Sequence, residues 1–311
     1  MQIVVLDDYQ QVAARHADWA SLGADVTYLD RHLEGDELVA ALRPAQVIVA
    51  MRERTPITGD LIASLPELRL IVTTGRRNAS IDVVAARDRG IPVCGTAGLA
   101  ASTVEHTWAL ILAAVRHVPA EDRSVREGGW QTTVGTGLAG RTLGVIGLGR
   151  LGSQVAAIGQ AFGMDVVAWS QHLDAEHARS LGVRPVAKDE LLAGSDVVTI
   201  HLVSSARTHH LVGAAELAAM RPTAYLVNTS RGPIVDTAAL VEALHAGRIA
   251  GAAIDVYDTE PLPADHPLRT APRTVLTPHL GYVTDDGYDL FFREAVEDIA
   301  AWRAGAPIRV L

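Results

Sequence analysis

The alternation of strands and helices is the sequence feature that most limits how this chain can fold. Short runs of apolar, often β-branched residues alternate with alanine-rich helical patterns along nearly the whole sequence. Strands that are apolar throughout are typical of parallel sheets covered by helices on both faces. The 311 residues are enough for about two domains of this kind. The sequence therefore predicts an α/β protein.

The alternation forms two series in tandem. The first predicts strands at 3–6, 26–29, 47–50, 70–73 and 92–94, and helices at 10–21, 37–42, 59–64 and 81–89. The second predicts strands at 143–146, 165–169, 197–202, 224–228, 251–256 and 275–276, and helices at 150–162, 176–181, 215–220 and 237–246. We therefore expect two doubly wound parallel sheets.

Two further helical patterns suggest how the series are connected. An apolar helix is predicted at 102–117, after the first series, and another helix at 285–303, after the second. If the last helix returns to the first domain, the second domain is an insertion. We therefore expect one discontinuous domain of residues 1–101 and 284–311, and an inserted domain of residues 102–283.

Charge and composition exclude several classes of protein. A net charge of −9 argues against a protein that binds nucleic acid. The single cysteine, Cys94, excludes internal disulfides and cysteine-clustered zinc sites, and the pair His209 and His210 has no acidic partner at metal-motif spacing. The N-terminus lacks a basic segment, and the apolar run 107–115 is too short to span a bilayer. We expect a cytoplasmic protein without metal, nucleic acid or membrane.

Two glycine-rich segments match the spacing G-x-G-x-x-G, and their contexts differ. The segment 135–140 follows a polar loop and leads into a strand, which favours a flexible connector. The second segment follows a predicted strand and opens a predicted helix, where glycines allow a tight turn and free N–H groups attract a pyrophosphate. It predicts a dinucleotide site at Gly147, Gly149, Arg150, Leu151 and Gly152.

The next strand carries the residues that would choose between NAD and NADP. NAD-specific sites place an acidic residue about 20 positions after the glycines, where it binds the ribose hydroxyls. This chain has Ser170 and Gln171 there, and neither a carboxylate nor an arginine. We expect both residues to contact the cofactor, which is NAD or NADP.

Three charged or titratable residues follow predicted strands of the second series: Arg231, Glu260 and His279. The carboxyl ends of parallel strands lie at one edge of the sheet. A guanidinium can bind a carboxylate and polarise the adjacent carbonyl, a histidine can transfer a proton, and a carboxylate can orient the histidine. The set suits hydride transfer to a 2-keto acid. Each residue alone also fits a structural role, as a turn cap, a solvated loop residue or a structural histidine.

Five stretches together carry a family resemblance: residues 140–152, 195–202, 227–236, 253–256 with 260–263, and 276–281. In this order they resemble the D-isomer-specific 2-hydroxyacid dehydrogenase family, which includes glyoxylate/hydroxypyruvate reductases and phosphoglycerate dehydrogenases. The resemblance extends over nearly the whole chain.

The resemblance implies a Rossmann-type dinucleotide-binding domain inserted in a flavodoxin-like substrate domain. It implies that Arg231, Glu260 and His279 are catalytic, and that Thr229 and Asp255 meet the nicotinamide. It further implies a small D-2-hydroxy or 2-keto acid as substrate, and a homodimer built around the second domain, to which the helix 102–117 would contribute an apolar face.

The segment 75–82 departs from the family pattern. In the family this loop reads Gly-x-Gly-x-Asp-Asn-Ile-Asp, and its N–H groups bind the substrate carboxylate. Here Arg77 replaces the second glycine and Ala79 the first aspartate. One reading is a substrate with a second anionic group, and the other is that the arginines point to solvent. The expected substrate-binding residues are Arg52, Gly75, Arg76, Arg77 and Tyr282, the last narrowing the pocket.

Two alternatives to a hydroxyacid dehydrogenase are open. Related folds include transcriptional corepressors, so the chain could be a non-catalytic scaffold that senses NAD(H). Formate and phosphite oxidation is the second alternative. Formate dehydrogenases pair their histidine with glutamine, and Glu260 argues against that reaction.

Overall fold

The computed structural model describes residues 1–311, which form two compact units. The first unit comprises Met1–Leu99 and Tyr282–Leu311, and the second comprises Ala100–Gly281. The first unit is therefore discontinuous in sequence. Its first segment ends at residue 99 and its second begins at residue 282, whereas we expected these boundaries at residues 101 and 284.

The first unit contains a five-stranded sheet in the order β2-β1-β3-β4-β5. All neighbouring strands are parallel. This is the strand order of flavodoxin-like folds. The strands are β1 (Gln2–Val5), β2 (Asp25–Tyr28), β3 (Val47–Ala50), β4 (Leu70–Thr73) and β5 (Val93–Gly95).

Helices cover both faces of this sheet. They are α1 (Gly35–Leu42), α2 (Gly59–Ser64), α3 (Val83–Asp88) and, from the end of the chain, α11 (Asp285–Arg303). Helix α11 buries residues at helical spacing against β1, β3 and β4, namely Tyr288, Phe291, Phe292, Ala295 and Ile299. Through this apolar stripe, α11 packs into the core of the first unit.

The predicted helix at 10–21 is wrong. The segment forms only two short 3₁₀ helices, Ala13–Arg15 and Trp19–Leu22. The Asp8 carboxylate accepts hydrogen bonds from the N–H groups of Val12 and Ala13, and the indole N–H of Trp19 donates to the carbonyl of Ala13. These side-chain bonds to the backbone compete with a continuous helix.

The second unit contains a seven-stranded sheet in the order β12-β11-β10-β9-β6-β7-β8, and all neighbouring strands are parallel. The order reverses between β6 and β9, as in Rossmann-type folds, where dinucleotides bind at this switch point. The strands are β6 (Thr142–Ile146), β7 (Asp165–Trp169), β8 (Arg184–Pro185), β9 (Val197–Ile200), β10 (Tyr225–Asn228), β11 (Gly251–Ile254) and β12 (Thr274–Leu276).

The helices of the second unit are α4 (Ala100–Val115), α5 (Val118–Arg126), α6 (Arg150–Ala161), α7 (Ala175–Ser180), α8 (Lys188–Gly194), α9 (Ala214–Ala219) and α10 (Thr237–His245). Sequence analysis did not predict α5, which is mostly polar or charged and buries no residue. It also missed α8 and the two-residue strand β8. None of the helices has the length and hydropathy that crossing a membrane requires.

Candidate active site

The glycine loop joins β6 to α6 at the switch point of the second sheet. Gly147 has φ +99°, and a Cβ there would lie 2.6 Å from the carbonyl oxygen of His201. A Cβ at Gly152 would overlap the carbonyl oxygen of Gly147. Only glycine meets both requirements, because side chains are strained at this φ and the helix lies directly against the loop.

Gly149 has a different role in the same loop. It precedes the first residue of α6, and a Cβ built on it would meet nothing within 4 Å. The missing side chain therefore leaves open space in front of the helix N-terminus, whose N–H groups and partial positive charge attract phosphate. Arg150 is exposed and Leu151 is half-buried. The loop fits the pyrophosphate of a dinucleotide.

Ser170 and Gln171 directly follow β7, beside the glycine loop. Gly147 donates a backbone hydrogen bond to Trp169, the last residue of β7, at 2.8 Å. Ser170 is half-buried and Gln171 is exposed. The nearby carboxylate of Asp174 caps α7 by accepting bonds from the N–H groups of Glu176 and His177, at 2.9 and 3.1 Å.

Arg231 lies in the loop after β10, and the buried side chain of Asn228 shapes this loop. The Asn228 amide donates to the carbonyl of Arg231 at 2.9 Å and accepts from the N–H of Ser230 at 3.0 Å. The Arg231 guanidinium donates to the carbonyl of Ser230 at 2.7 Å. A Cβ at Gly232 would overlap the backbone of Tyr257, so the loops after β10 and β11 touch.

Glu260 and His279 form a direct hydrogen-bonded pair. The Nδ1 of His279 lies 2.6 Å from Oε2 of Glu260, and the two side chains are only 16% and 24% exposed. The other oxygen of Glu260 accepts from the N–H of Tyr257 at 2.9 Å. A carboxylate can only accept here, so Nδ1 carries the proton that binds Glu260.

Tyr257 connects the end of β11 to the loop after β12, which carries His279. Its hydroxyl lies 3.2 Å from the carbonyl of Ile254 and 3.0 Å from that of Thr277. Burial, together with the negative charges of Asp255 and Glu260, raises the pKa of Tyr257 far above its ordinary value. The hydroxyl therefore stays protonated and serves as a donor to these carbonyls.

Asp255 is buried beneath the loop that carries His279. Its carboxylate accepts hydrogen bonds from the N–H groups of Leu280 and Gly281 at 2.8 and 2.9 Å, and from the hydroxyl of Thr277. The backbone N–H of His279 also donates to the Asp255 carbonyl at 2.8 Å. That Asp255 meets the nicotinamide stays a prediction, whereas these contacts make it an anchor of the His279 loop.

Thr229 directly follows β10 and is buried. Its hydroxyl lies 2.8 Å from that of Thr107 in α4, and the Thr107 hydroxyl lies 2.8 Å from the carbonyl of Thr103. Thr107 therefore donates to Thr103 and accepts from Thr229. The predicted contact of Thr229 with the nicotinamide stays a prediction.

His201 lies beside the candidate dinucleotide site, and sequence analysis did not single it out. It directly follows β9, its N–H donates to Ile146 at 2.8 Å, and Gly147 lies against its carbonyl. Burial lowers the pKa of His201 to about 4, so its ring is neutral at pH 7. Its place at the end of a strand beside the glycine loop was the available signal.

The predicted substrate loop lies in the first unit, after β4. Gly75 has φ +102°, and its N–H donates to the Thr96 hydroxyl at 2.8 Å. The buried amide of Asn78 donates to the Thr73 hydroxyl at 2.9 Å and to the Arg52 carbonyl, and it accepts from the N–H of Ser80. Arg76 and Arg77 lie between these fixed points, and both are exposed.

Arg52 and Tyr282 complete the predicted substrate set in the first unit. The Arg52 guanidinium donates to the carbonyl of Thr74 at 3.1 Å and lies against Gly75, where a Cβ would overlap it. The Tyr282 ring is buried, with the guanidinium carbons of Arg52 and Arg54 5.8 and 5.5 Å from its centre. Tyr282 therefore supports the two arginines through cation–π contacts.

Comparison with known proteins adds evidence independent of this geometry. Residues 108–281 match the model of the D-isomer specific 2-hydroxyacid dehydrogenase, NAD binding domain. The glyoxylate reductase of Aeropyrum pernix is 42% identical over 256 residues, which cover 79% of this chain and 76% of that protein.

Two further relatives carry phosphoglycerate names. The D-3-phosphoglycerate dehydrogenase of Archaeoglobus fulgidus is 39% identical over 88% of this chain, which spans only 52% of that protein. The crystal structure of a phosphoglycerate oxidoreductase from Vibrio cholerae superposes with a TM-score of 0.94 at 37% identity, covering 98% of this chain and 100% of that one. The chain belongs to the D-isomer-specific 2-hydroxyacid dehydrogenase family, whose members use NAD or NADP to act on CH–OH donors.

Proposed function

We propose that this chain interconverts a small 2-keto acid and the D-2-hydroxy acid, with His279 as acid and base, Glu260 as its partner and Arg231 as the carboxylate-binding residue. The observation that carries the proposal is the 2.6 Å contact between His279 Nδ1 and Glu260 Oε2. A half-buried histidine held by a carboxylate on one nitrogen presents the other nitrogen for proton transfer.

The cofactor would be held by the glycine loop and the end of β7. Gly147, Gly149 and Gly152 leave room for a pyrophosphate at the N-terminus of α6, and Ser170 and Gln171 would bind the adenosine ribose. When bound, the nicotinamide supplies or accepts the hydride. This arrangement supports the use of NAD or NADP.

His279 would supply the proton that the reaction requires. In the direction of reduction, the carbonyl carbon gains a hydride while the carbonyl oxygen takes the proton from Nε2, and the imidazolium becomes neutral imidazole. In the direction of oxidation, neutral Nε2 takes the hydroxyl proton. Glu260 holds the ring through Nδ1 and stabilises its positive charge.

Arg231 would bind the substrate carboxylate and polarise the neighbouring carbonyl. A guanidinium matches a carboxylate in a planar, two-point geometry that an ammonium cannot reproduce. The hydrogen bonds of Asn228 hold the Arg231 backbone, and the guanidinium is further held by the Ser230 carbonyl. The loop therefore presents the side chain with little freedom to reorient.

The predicted substrate loop of the first unit has features of its own that suit an anionic ligand. Asn78 and Gly75 fix the backbone around residues 75–78, so the N–H groups there are suited to bind a carboxylate. Arg76 and Arg77 are exposed and make no ion pair within the protein. Two positive charges without an acidic partner favour a substrate with a second anionic group, such as a keto dicarboxylate or a phosphorylated keto acid.

A panel of keto acids tests the activity and the substrate class together. We expect cofactor-dependent reduction of at least one of glyoxylate, hydroxypyruvate, pyruvate, oxaloacetate and a phosphorylated keto acid. R77A should raise KM for the dianionic substrates by about fivefold, the scale of about 1 kcal/mol for an exposed charge pair, and leave the monoanionic substrates unchanged. The matched control is R87A, which removes an exposed arginine near the end of α3. Equal KM changes for both substrate classes would count against the second anionic group.

We expect weak discrimination between the two cofactors. The carboxylate of Asp174 caps α7 by accepting hydrogen bonds from its backbone N–H groups. Ser170 carries no charge that would repel a 2′-phosphate. The values of kcat/KM for NADH and NADPH should therefore lie within ~100-fold, or about 2.7 kcal/mol. S170D should shift preference towards NADH, chiefly by penalising NADPH, and the uncharged S170N should not. A wild type that rejects NADPH by a wider margin would mean that another group supplies the negative charge.

The homodimer is also a proposal, and we now propose a second location for its interface. The large apolar residues Trp108, Leu110 and Ile111 of α4 are buried in the core of the second unit, and Ala109 and the half-buried Leu112 are what remains for the apolar face that we expected. Larger exposed apolar residues occur from α5 onwards, at Val118, Val125, Trp130 and Val134, the last two being 73% and 94% exposed. We place the contact between two copies on this segment, because such side chains are usually covered in an assembly.

Sedimentation equilibrium tests the proposed interface. The wild type should sediment as a dimer, and W130S combined with V134S should weaken the dimer by at least tenfold in dissociation constant. V84S, at an exposed valine of the first unit, is the matched control. A monomeric wild type, or a dimer unaffected by the double variant, would contradict this placement.

A further inference from the structure

Helix α4 is largely apolar, and one of its sides is polar. Thr103, His106 and Thr107 lie at positions i, i+3 and i+4, which share one side of a helix. This side contacts the loops that follow β10, β11 and β12, where the proposed catalytic residues lie. Thr107 contacts Thr229, and the most extensive polar contacts are those of His106.

His106 reaches the buried carboxylate beneath the His279 loop. Its Nε2 lies 3.1 Å from Oδ1 of Asp255 and 3.1 Å from the hydroxyl oxygen of Thr277. The Asp255 side chain is 1% exposed and that of His106 is 17% exposed. Because a carboxylate accepts, Nε2 carries a proton and donates to Asp255. His106 is the basic side chain in contact with this buried acid.

The orientation of the Asp255 carboxylate is coupled to the backbone of His279. The N–H groups of Leu280 and Gly281, the two residues after His279, bind its two oxygens. His279 itself has φ +56°, in the left-handed region that costs a side-chain-bearing residue energy. Bonds on both sides of this residue therefore hold a strained conformation that the chain would not adopt by itself.

We propose that His106 is a positioning residue for the reaction, which holds the Asp255 carboxylate so that the His279 loop keeps its geometry. The proposal rests on the proposed function of His279. Without the Nε2–H donor, the buried carboxylate loses its basic partner and gains from turning towards water. A shift of about 1 Å at a catalytic group costs on the order of 100-fold in rate.

Three variants of α4 separate this role from a general structural one. H106L removes the donor at similar size, H106Q keeps an N–H at comparable reach, and E105Q alters the exposed neighbour as a control. We expect H106L to lower kcat by about 10- to 100-fold while the Kd for NADH stays within about twofold, since the glycine loop is untouched. H106Q should recover most of the loss, and E105Q should behave as wild type. If H106L does not fold, H106N, whose amide is too short to reach Asp255, replaces it.

Amide hydrogen exchange gives a readout that does not depend on activity. In H106L the N–H groups of Leu280 and Gly281 should exchange at least tenfold faster than in wild type and in H106Q, while β6 and β10 keep their protection. If the wild type reduces no keto acid, the proposed function fails and the exchange measurement still tests the role of His106. Unchanged exchange at residues 280–281, or a kcat within threefold of wild type in H106L, would overturn the inference.

Discussion

H279A should lower kcat for keto-acid reduction by ~10²–10⁴-fold, the usual contribution of a general acid. The ring of His279 is the proton donor in the proposed reaction, and alanine leaves neither a donor nor a base near the reacting oxygen. Cofactor binding should be unchanged, because the glycine loop lies at the ends of β6 and β9 and His279 follows β12. Steady-state kinetics and a fluorescence titration with NADH measure the two quantities separately.

A second histidine variant controls for the loss of an imidazole as such. His245 is exposed at the end of α10, and H245A should keep wild-type kcat. If H279A retained more than a tenth of the wild-type kcat, His279 would not be the group that transfers the proton.

R231K should lower kcat/KM by roughly 10- to 150-fold, which corresponds to the about 1.5–3 kcal/mol of a hydrogen bond to a charged group. Lysine keeps the positive charge but loses the planar pair of donors. Both KM and kcat should worsen, because the contact with the carboxylate exists in the ground state and the contact with the carbonyl strengthens in the transition state.

Two variants distinguish the contribution of the positive charge at position 231 from that of the planar donor geometry. In R231A, added guanidinium ion should restore part of the activity, because it supplies the missing planar donors, and ammonium ion should not. Near-normal kcat/KM in R231K would show instead that a positive charge alone is sufficient at this position.

The parts of the fold that were predictable are those determined by local patterns. Strands β3, β4 and β7 coincide with the predicted ranges because each contains at least three consecutive apolar residues. The helix predicted at 10–21 does not form because the carboxylate of Asp8, which precedes this segment, accepts hydrogen bonds from its backbone N–H groups. Helix α5 was not predicted because its sequence is mostly polar or charged and buries no side chain.

In the candidate site, too, residues in local motifs were predictable and contacts between distant residues were not. Arg231, Glu260 and His279 could be proposed from the sequence because each follows a predicted strand and belongs to a recognisable stretch. The surroundings of Asp255 were not predictable, because its partners Thr277, Leu280, Gly281 and His106 lie 22, 25, 26 and 149 positions away. The contact with His106 depends on the packing of α4 against the sheet, and the other three depend on the path of the loop after β12; the sequence pattern carries no signal for either.

The pairing of His279 with Glu260 is the central claim, and the pH dependence of keto-acid reduction in E260Q tests it most directly. Glutamine keeps the size of the side chain and an acceptor oxygen but removes the negative charge that stabilises imidazolium. Reduction requires the imidazolium form, so kcat should decline at a lower pH in E260Q than in wild type. Profiles of kcat against pH for the two proteins should therefore separate on the alkaline side. If the two profiles coincide, Glu260 does not act on His279, and the proposed mechanism is contradicted.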